Sequence, residues 1–370
     1  GQADKVVVVN NTLNVFDFKG LCLNTEIPTK DGFKLMKDIN LNDIIFDGEG
    51  NYTKIKHISD IHNNPCYKIK FDTNEEIICD HEHKWFISNR LGTGKYKKIE
   101  IRTDDIFNLF NKQKVIRIPT ASPSLEEKEL LIDPYVLGVW LGDGGQHNGR
   151  ITNMNPNLWI EIEKRGYNLG KDISNGGSGK AQEKTLFGLE GKLIKLNLLK
   201  NKHIPDIYLK SSYNQRLDLL RGFMDSDGSF NKKRKRFVMI TTKRWQANGL
   251  SDLISSFGWK ATIIKAKTSG FGKTNIDCFH IGFISDVNPF LTRNVDCMKN
   301  VKINQKAKFR FIREMELINS VPTKCISVES ATKSYLATRC YILTHNTDET
   351  ISFEGYSNEW KKPEKYLPPI

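Results

Sequence analysis

Leu220-Arg221-Gly222-Phe223-Met224-Asp225-Ser226-Asp227-Gly228 decides the reading, because a second copy stands 84 residues earlier as Val136-Leu137-Gly138-Val139-Trp140-Leu141-Gly142-Asp143-Gly144. Each copy is an apolar run that a helix would bury, with a glycine in its middle and an acidic residue before a glycine stop. A glycine on a helix face lets a second helix approach closely. Two such helices packed side by side bring Asp143 and Asp227 together. Two adjacent carboxylates repel unless a cation lies between them, and hard oxygen ligands suit Mg²⁺. A divalent ion held this way activates water and stabilises a departing phosphodiester oxygen. Each run is followed by β-type sequence, so the segment reads as an α+β domain of pseudo-two-fold symmetry.

The charge around this repeat points the same way. The chain of 370 residues carries a net charge of +13. Between Leu125 and Ile318 there are 32 Lys+Arg against 20 Asp+Glu, so nearly the whole excess lies in the middle. A localised basic excess is the footprint of a polyanion partner. Lys232-Lys233-Arg234-Lys235-Arg236 follows the second copy at an expected hairpin, where it suits phosphate or groove contact with double-stranded DNA.

Outside the centre the character changes. Residues 22–118 alternate in short segments such as Tyr67-Lys68-Ile69-Lys70-Phe71, separated by turn signals such as Asp47-Gly48-Glu49-Gly50. Pro119-Thr120-Ala121-Ser122-Pro123-Ser124 reads as a linker, and β character returns from Val321. An all-β domain is thus split in sequence by the inserted basic α+β domain. The seven cysteines form no CxxC pair, which argues against a disulfide framework. There is no run of 18 apolar residues and no signal-peptide layout, so a soluble, cytoplasmic or intracellular chain with no membrane partner is expected.

The β segments carry a second chemistry at their ends. In Thr344-His345-Asn346-Thr347 the Asn346 amide can attack its own main-chain carbonyl and break the chain, an intramolecular step in which orientation replaces entropic cost. His345 can polarise that carbonyl or protonate the leaving amine, and the Thr347 hydroxyl can act as a nucleophile. Near the other end, the Cys22 thiol can attack the preceding carbonyl of Leu21 to form a thioester. Helpers for that step are expected in Asp80-His81-Glu82-His83-Lys84-Trp85-Phe86. Each of these has a plainer alternative: Cys22 as a small buried hydrophobe, the histidines as a surface turn, or Cys79, His81 and His83 as metal ligands on one strand face.

Jointly these segments resemble the inteins, with their HINT fold. Cys22 to Gly32 resembles the opening block, Asp80-His81-Glu82-His83 the second block, Cys325-Ile326-Ser327-Val328-Glu329 the penultimate block, and Tyr341 to Asn346 the last. His83 maps to the block histidine, with His81 as the fallback, and Asp80 stands where a threonine is usual. The central repeat resembles the two motifs of LAGLIDADG homing endonucleases, with Leu141 where an acidic residue often stands, and Lys202 falls in a segment similar to their lysine block. The resemblance implies flanking host segments at 1–21 and 347–370, a splicing domain in two parts at 22–120 and 319–346, and an endonuclease at 125–318 with a four-stranded saddle in each half.

The implied splicing route needs no cofactor. Cys22 takes the acyl group from Leu21, Thr347 takes it from Cys22, Asn346 cyclises, and Leu21 is joined to Thr347. Cys325 would tune the Cys22 thiol or the branched intermediate. The endonuclease would use Asp143, Asp227 and Mg²⁺, with Lys202 beside them, on a DNA copy of the uninterrupted host gene. The chain is expected to act as a monomer on its own flanks in cis. Other readings are a splicing element whose endonuclease is inactive and only binds DNA, a free-standing nuclease, an autoprocessing domain that cleaves without ligating, and a β-rich interaction module.

Overall fold

The computed structural model describes residues 5–9, 12–16, 19–90, 95–174, 181–270, 273–299, 301, 305–345 and 351–354. Their buried apolar side chains fall into two separate clusters. One gathers Leu21, Ile45, Phe71, Trp85 and Ile118 with Ile312, Ile326, Tyr335 and Leu343. The other runs from Ile132 to Phe290. The first cluster is discontinuous in sequence and the second lies between its parts. A HINT-type β domain split by an inserted α+β domain of the LAGLIDADG type follows directly.

Two antiparallel sheets build most of the β domain. One has the order Arg117–Pro119, Phe309–Ile318, Cys66–Phe71, Glu76–Asp80, Leu21–Cys22, Thr323–Lys324; the other runs Ile326–Val328, Tyr52–Ile58, Ile44–Phe46, Glu26–Thr29, Gly32–Leu35. Alternation fixes register: Ile69 and Phe71 point inward, while Lys68 and Lys70 on the other face reach Glu316 at 2.7 Å and Glu314 at 3.1 Å across the ladder. The strand Phe309–Ile318 therefore belongs to this sheet. It pairs with both Arg117–Pro119 and Cys66–Phe71, although it falls within the range 125–318 expected for the endonuclease.

Short strand Leu21–Cys22 lies between the two halves of the split domain. Leu21 pairs with Cys79 on one side, and Leu21 and Cys22 pair with Lys324 and Thr323 on the other. A hairpin of Ser334–Ala337 and Ile342–His345 brings the last described part of the chain back to the same end. The flanking segments also meet: Lys5–Val9, Thr12–Phe16 and Ile351–Glu354 form one antiparallel sheet, with Val15 opposite Ile351 and Thr12 opposite Glu354.

In the inserted region the two repeat copies are helices, Pro134–Asp143 and Tyr213–Asp227. Asp133 caps the first through Val136 N–H, with Pro134 at its first turn, and Ser212 and Gln215 form a capping box on the second. They cross at their glycines. A Cβ at Gly138 would stand 2.2 Å from the Leu219 carbonyl oxygen, and one at Gly222 would stand 2.1 Å from that of Tyr135. Only glycine fits at either place. The two halves differ in their sheets. After the second helix come four strands in the order Gly228–Asn231, Arg236–Thr241, Lys273–Phe283, Thr262–Gly270. After the first, the described residues give one pair, Arg150–Asn153 with Gln182–Thr185, so the expected equal saddles are not found among them. No helix of the described residues is long and apolar enough to cross a membrane.

Candidate functional sites

The first site lies where the ends of the split domain meet. Asp80 is fully buried at the end of its strand. Its Oδ1 accepts the amides of Glu82 at 3.0 Å and His83 at 2.8 Å, a turn that fixes the carboxylate. Its Oδ2 accepts Gly20 N–H at 2.5 Å and lies 3.1 Å from His62 Nε2. His83 is also buried, its ring edge-on to Trp85, whose indole N–H donates to Thr103. Burial lowers the His83 pKa to about 4, so the ring is neutral near pH 7 and carries one proton. Its Nδ1 lies 3.5 Å from the Lys19 carbonyl oxygen and its Nε2 lies 2.5 Å from Thr344 Oγ1. A carbonyl can only accept, so the proton belongs on Nδ1, and Thr344 O–H donates to Nε2. One imidazole thus touches residues from the two ends of the split domain.

These contacts lie two peptides before the Leu21–Cys22 bond expected from the sequence. His83 and Asp80 bracket the Lys19–Gly20 peptide, one at its carbonyl and the other at its N–H. The Leu21–Cys22 peptide is instead occupied by strand pairing on both sides. Cys22 itself lines a surface cavity with Glu26, Glu75, Thr338 and Arg339. Gly20 packs against the chain that follows: a Cβ there would stand 2.8 Å from Lys324 N and 2.9 Å from Thr323 Cβ. Cys325 is the next residue along, buried, its N–H donating to Ser59 Oγ at 2.9 Å. Burial pushes the Tyr335 phenol well above its ordinary range, and Cys325, Cys79 and Asp80 add to that shift.

His345 is buried with its ring 4.9 Å from that of Phe86 and its Nε2 3.1 Å from Glu100 Oε2. Asn346 and Thr347 lie outside the described residues. His81, the fallback histidine, donates its backbone N–H to Pro65 and accepts from Asp104 N–H, and its ring Nδ1 is buried without a hydrogen-bond partner among the described residues. Cys79, His81 and His83 do not gather as ligands, and among the described residues no group of three His, Cys, Asp or Glu could hold a metal.

The second site is at the ends of the paired helices. Burial raises Asp143 to about 6, and the Asp227 carboxylate beside it adds to the shift. Burial also raises Asp227. Asn153 Nδ2 donates to Asp143 Oδ2 at 2.5 Å. Lys202 is buried and reaches the end of the first helix, donating to the carbonyls of Trp140 at 2.8 Å and Gly144 at 2.7 Å. Its pKa falls to about 8, first through burial and then through Lys243. The second helix has a matching cation that the sequence reading missed. Arg293 Nη2 donates to Met224 and Gly228 carbonyls at 2.9 and 2.5 Å, the same two positions shifted by the repeat interval. No motif surrounds Arg293, and loop-length differences put it out of step with Lys202, so repeat arithmetic could not find it. Cations at the last carbonyls of a helix complement its dipole.

Lys232, Lys233, Arg234 and Lys235 are exposed on the turn between the strands Gly228–Asn231 and Arg236–Thr241. Arg236 is not part of that free edge. It folds back along the sheet, where its Nη2 donates to Thr262 Oγ1 at 2.6 Å.

Residues 214–306 match the family described as LAGLIDADG-like domain. Over 364 residues the chain is 24% identical to a replicative DNA helicase DnaB of Mycobacterium intracellulare, covering 90% of this chain and 60% of that protein. The chain thus spans about 60% of the length of the curated relative it matches. Among solved structures, it is similar to the MchDnaB-1 intein at 11% identity, covering 88% of this chain and 99% of that one, with a TM-score of 0.29. It is also similar to I-DmoI in complex with DNA and Mn, at 16% identity over 41% of this chain and 89% of that one, again with a TM-score of 0.29. At such scores neither likeness places a residue, and the sites stand on their own geometry. The class they define is a HINT-type β domain interrupted by a LAGLIDADG-type domain.

Proposed function

We propose that the chain excises residues 20–346 and joins Lys19 to Thr347, and that its inserted domain cuts double-stranded DNA. The single observation that carries the first part is His83, whose ring spans the Lys19 carbonyl and Thr344. Gly20 has no side chain to attack with, so the acyl acceptor must come from elsewhere. Cys325 follows Lys324, whose backbone packs against Gly20, and we assign its thiol the attack. Its Sγ bonds to the Lys19 carbonyl carbon while His83 Nδ1–H donates to the developing oxyanion. The Lys19–Gly20 C–N bond breaks and leaves a thioester on Cys325. Thr347 Oγ then takes the acyl group. Asn346 cyclises, with His345 beside it and Glu100 orienting that ring, and an O-to-N shift forms the Lys19–Thr347 peptide. Peptide bonds are exchanged throughout, so the route calls for no cofactor.

The test is a pair of substitutions in the full chain. Cys325→Ala should abolish the N-terminal thioester and ligation, while Cys22→Ala should splice. The reverse result restores Cys22 as the nucleophile and Leu21 as the last host residue.

For the inserted domain the carrying observation is the Asp143–Asp227 pair at the helix ends, each carboxylate raised and Asp227 contributing to the Asp143 shift. The donor set suits a hard divalent ion. Mg²⁺ is commonly held by one or two carboxylates together with water and phosphate oxygens, and two carboxylates are what the helix ends offer. When bound, such an ion supplies charge stabilisation at the phosphodiester and a more acidic water. Asp143 and Asp227 would hold it, and Asn153 fixes the Asp143 carboxylate. Lys202 and Arg293 hold the helix ends and add positive charge near the scissile phosphate. Lys232, Lys233, Arg234 and Lys235 meet the DNA backbone, and such contacts make binding strongly salt-dependent. A monomer presents both half-sites, since the repeat supplies the symmetry. The reduced sheet of the first half favours a second reading, in which the domain binds DNA without cutting it. Incubating the chain with an uninterrupted host gene, with and without Mg²⁺, separates the two: cutting lost with Asp227→Ala supports the nuclease, and binding without cutting supports the alternative.

A further inference from the structure

Breaking the Lys19–Gly20 bond leaves an amine that needs a proton, and His83 cannot supply it. It is neutral, and its single proton faces the Lys19 oxygen rather than the Gly20 nitrogen. The group at that nitrogen is Asp80 Oδ2, and the same oxygen has a second neighbour, His62 Nε2 at 3.1 Å. The other ring nitrogen of His62, Nδ1, lies 3.3 Å from the Asp60 carbonyl oxygen. A carboxylate oxygen accepts, so Nε2 of His62 carries a proton facing Asp80, and Nδ1 donates to the Asp60 carbonyl whenever the ring is protonated. It is held in place through its backbone, which pairs with Thr323, the residue opposite Cys22. Its side chain keeps 17% of its surface in solvent, whereas that of Asp80 keeps none.

We propose that His62 is the proton source for the N-terminal cleavage, acting through Asp80 on the leaving Gly20 nitrogen. This rests on the assignment of Lys19–Gly20 as the bond that breaks. As Cys325 Sγ bonds to the Lys19 carbon and the C–N bond opens, His62 Nε2–H passes its proton to Asp80 Oδ2. That oxygen passes one to the Gly20 nitrogen, which becomes a neutral amine. The Cys325 thiol proton is released to solvent and His62 takes one from solvent, so the step is proton-neutral overall. Buried Asp80 is thereby never left as an uncompensated charge. His62 is a positioning residue for the reaction rather than one that touches the reacting atoms.

The experiment follows thioester formation at the N-terminal junction in the full chain, using hydroxylamine to release the acyl fragment. His62→Gln can still donate to Asp80 but cannot pass a proton on. It should slow this step by about 100-fold, within the range of general acid catalysis, and added imidazole should restore much of the rate. C-terminal cleavage in the same variant reports that the fold is intact. In the unsubstituted chain the step should slow in deuterium oxide. A His62→Gln chain that forms thioester at the normal rate, or one that is slow and indifferent to imidazole, overturns the relay, as does the absence of any deuterium effect. Cys325→Ala run in parallel separates the two ideas: if that variant still yields the acyl fragment, it is the junction assignment that falls.

Discussion

At the scale of single residues, two buried groups have their protonation set by what surrounds them. Asp143 is raised to about 6 by burial and by Asp227. A carboxyl whose folded pKa lies above its unfolded value gives stability that is present below about pH 4 and is lost as pH rises through about 6. Asp143→Asn should therefore stabilise the metal-free chain at pH 7, by on the order of 1–2 kcal/mol, and should abolish DNA cutting. Thermal unfolding at pH 4 and pH 7 checks the sign, since the difference between variant and parent should vanish at the lower value. Wild-type cutting should fall as pH drops through about 6, because a protonated Asp143 is a poor cation ligand. Thr344 offers a second test. Thr344→Val leaves His83 Nε2 without its buried donor, which costs about 1–3 kcal/mol and releases the tautomer. The N-terminal step should slow by roughly 10–100-fold on that basis, while Thr344→Ser should keep most of the rate; equal rates for Val and Ser would remove the hydroxyl from the mechanism.

Most of these residues were legible one at a time. Asp143, Asp227, Lys202, Asp80, His83 and His345 stand out by type and neighbours. Gly20 did not, because a search for a nucleophile passes over a residue without a side chain and stops at Cys22. Only the hydrogen bonds of Asp80 and His83 draw attention to the Lys19–Gly20 peptide.

At the scale of elements, the two repeat helices carry the inserted domain, and their contact depends on two glycines. Gly222→Val would drive a side chain into the Tyr135 carbonyl and the Gly138 backbone. Overpacking of this kind costs about 1–3 kcal/mol or more. The variant should lose DNA cutting and melt at lower temperature, yet still splice, because the β domain has its own core. Splicing lost together with cutting would mean that the two cores do not act separately. The helices were readable because their period and glycine stops repeat. The strands were less so. Phe309–Ile318 falls within the stretch expected to be the inserted domain, and only pairing with Cys66–Phe71 assigns it to the β sheet. Long-range pairing is not written in local alternation; the saddle in each half came from the family resemblance, and among the described residues the first half gives one strand pair.

At the scale of the whole molecule, the fold solves a problem of distance. Lys19 and Thr344 are separated by more than three hundred residues, most of them in another domain, and they meet on one ring. The flanking strands Thr12–Phe16 and Ile351–Glu354 pair with each other beyond that ring, so the segments to be joined are already neighbours. The inserted domain leaves the β domain and returns to it without parting its ends. The most direct measurement is the mass spectrum of the ligated product after expression of the full chain, with the junction peptide sequenced by fragmentation. The account predicts a peptide in which Lys19 is followed by Thr347, with residues 20–346 released as one piece. A junction reading Leu21 then Thr347, or a chain that stays whole, would contradict it.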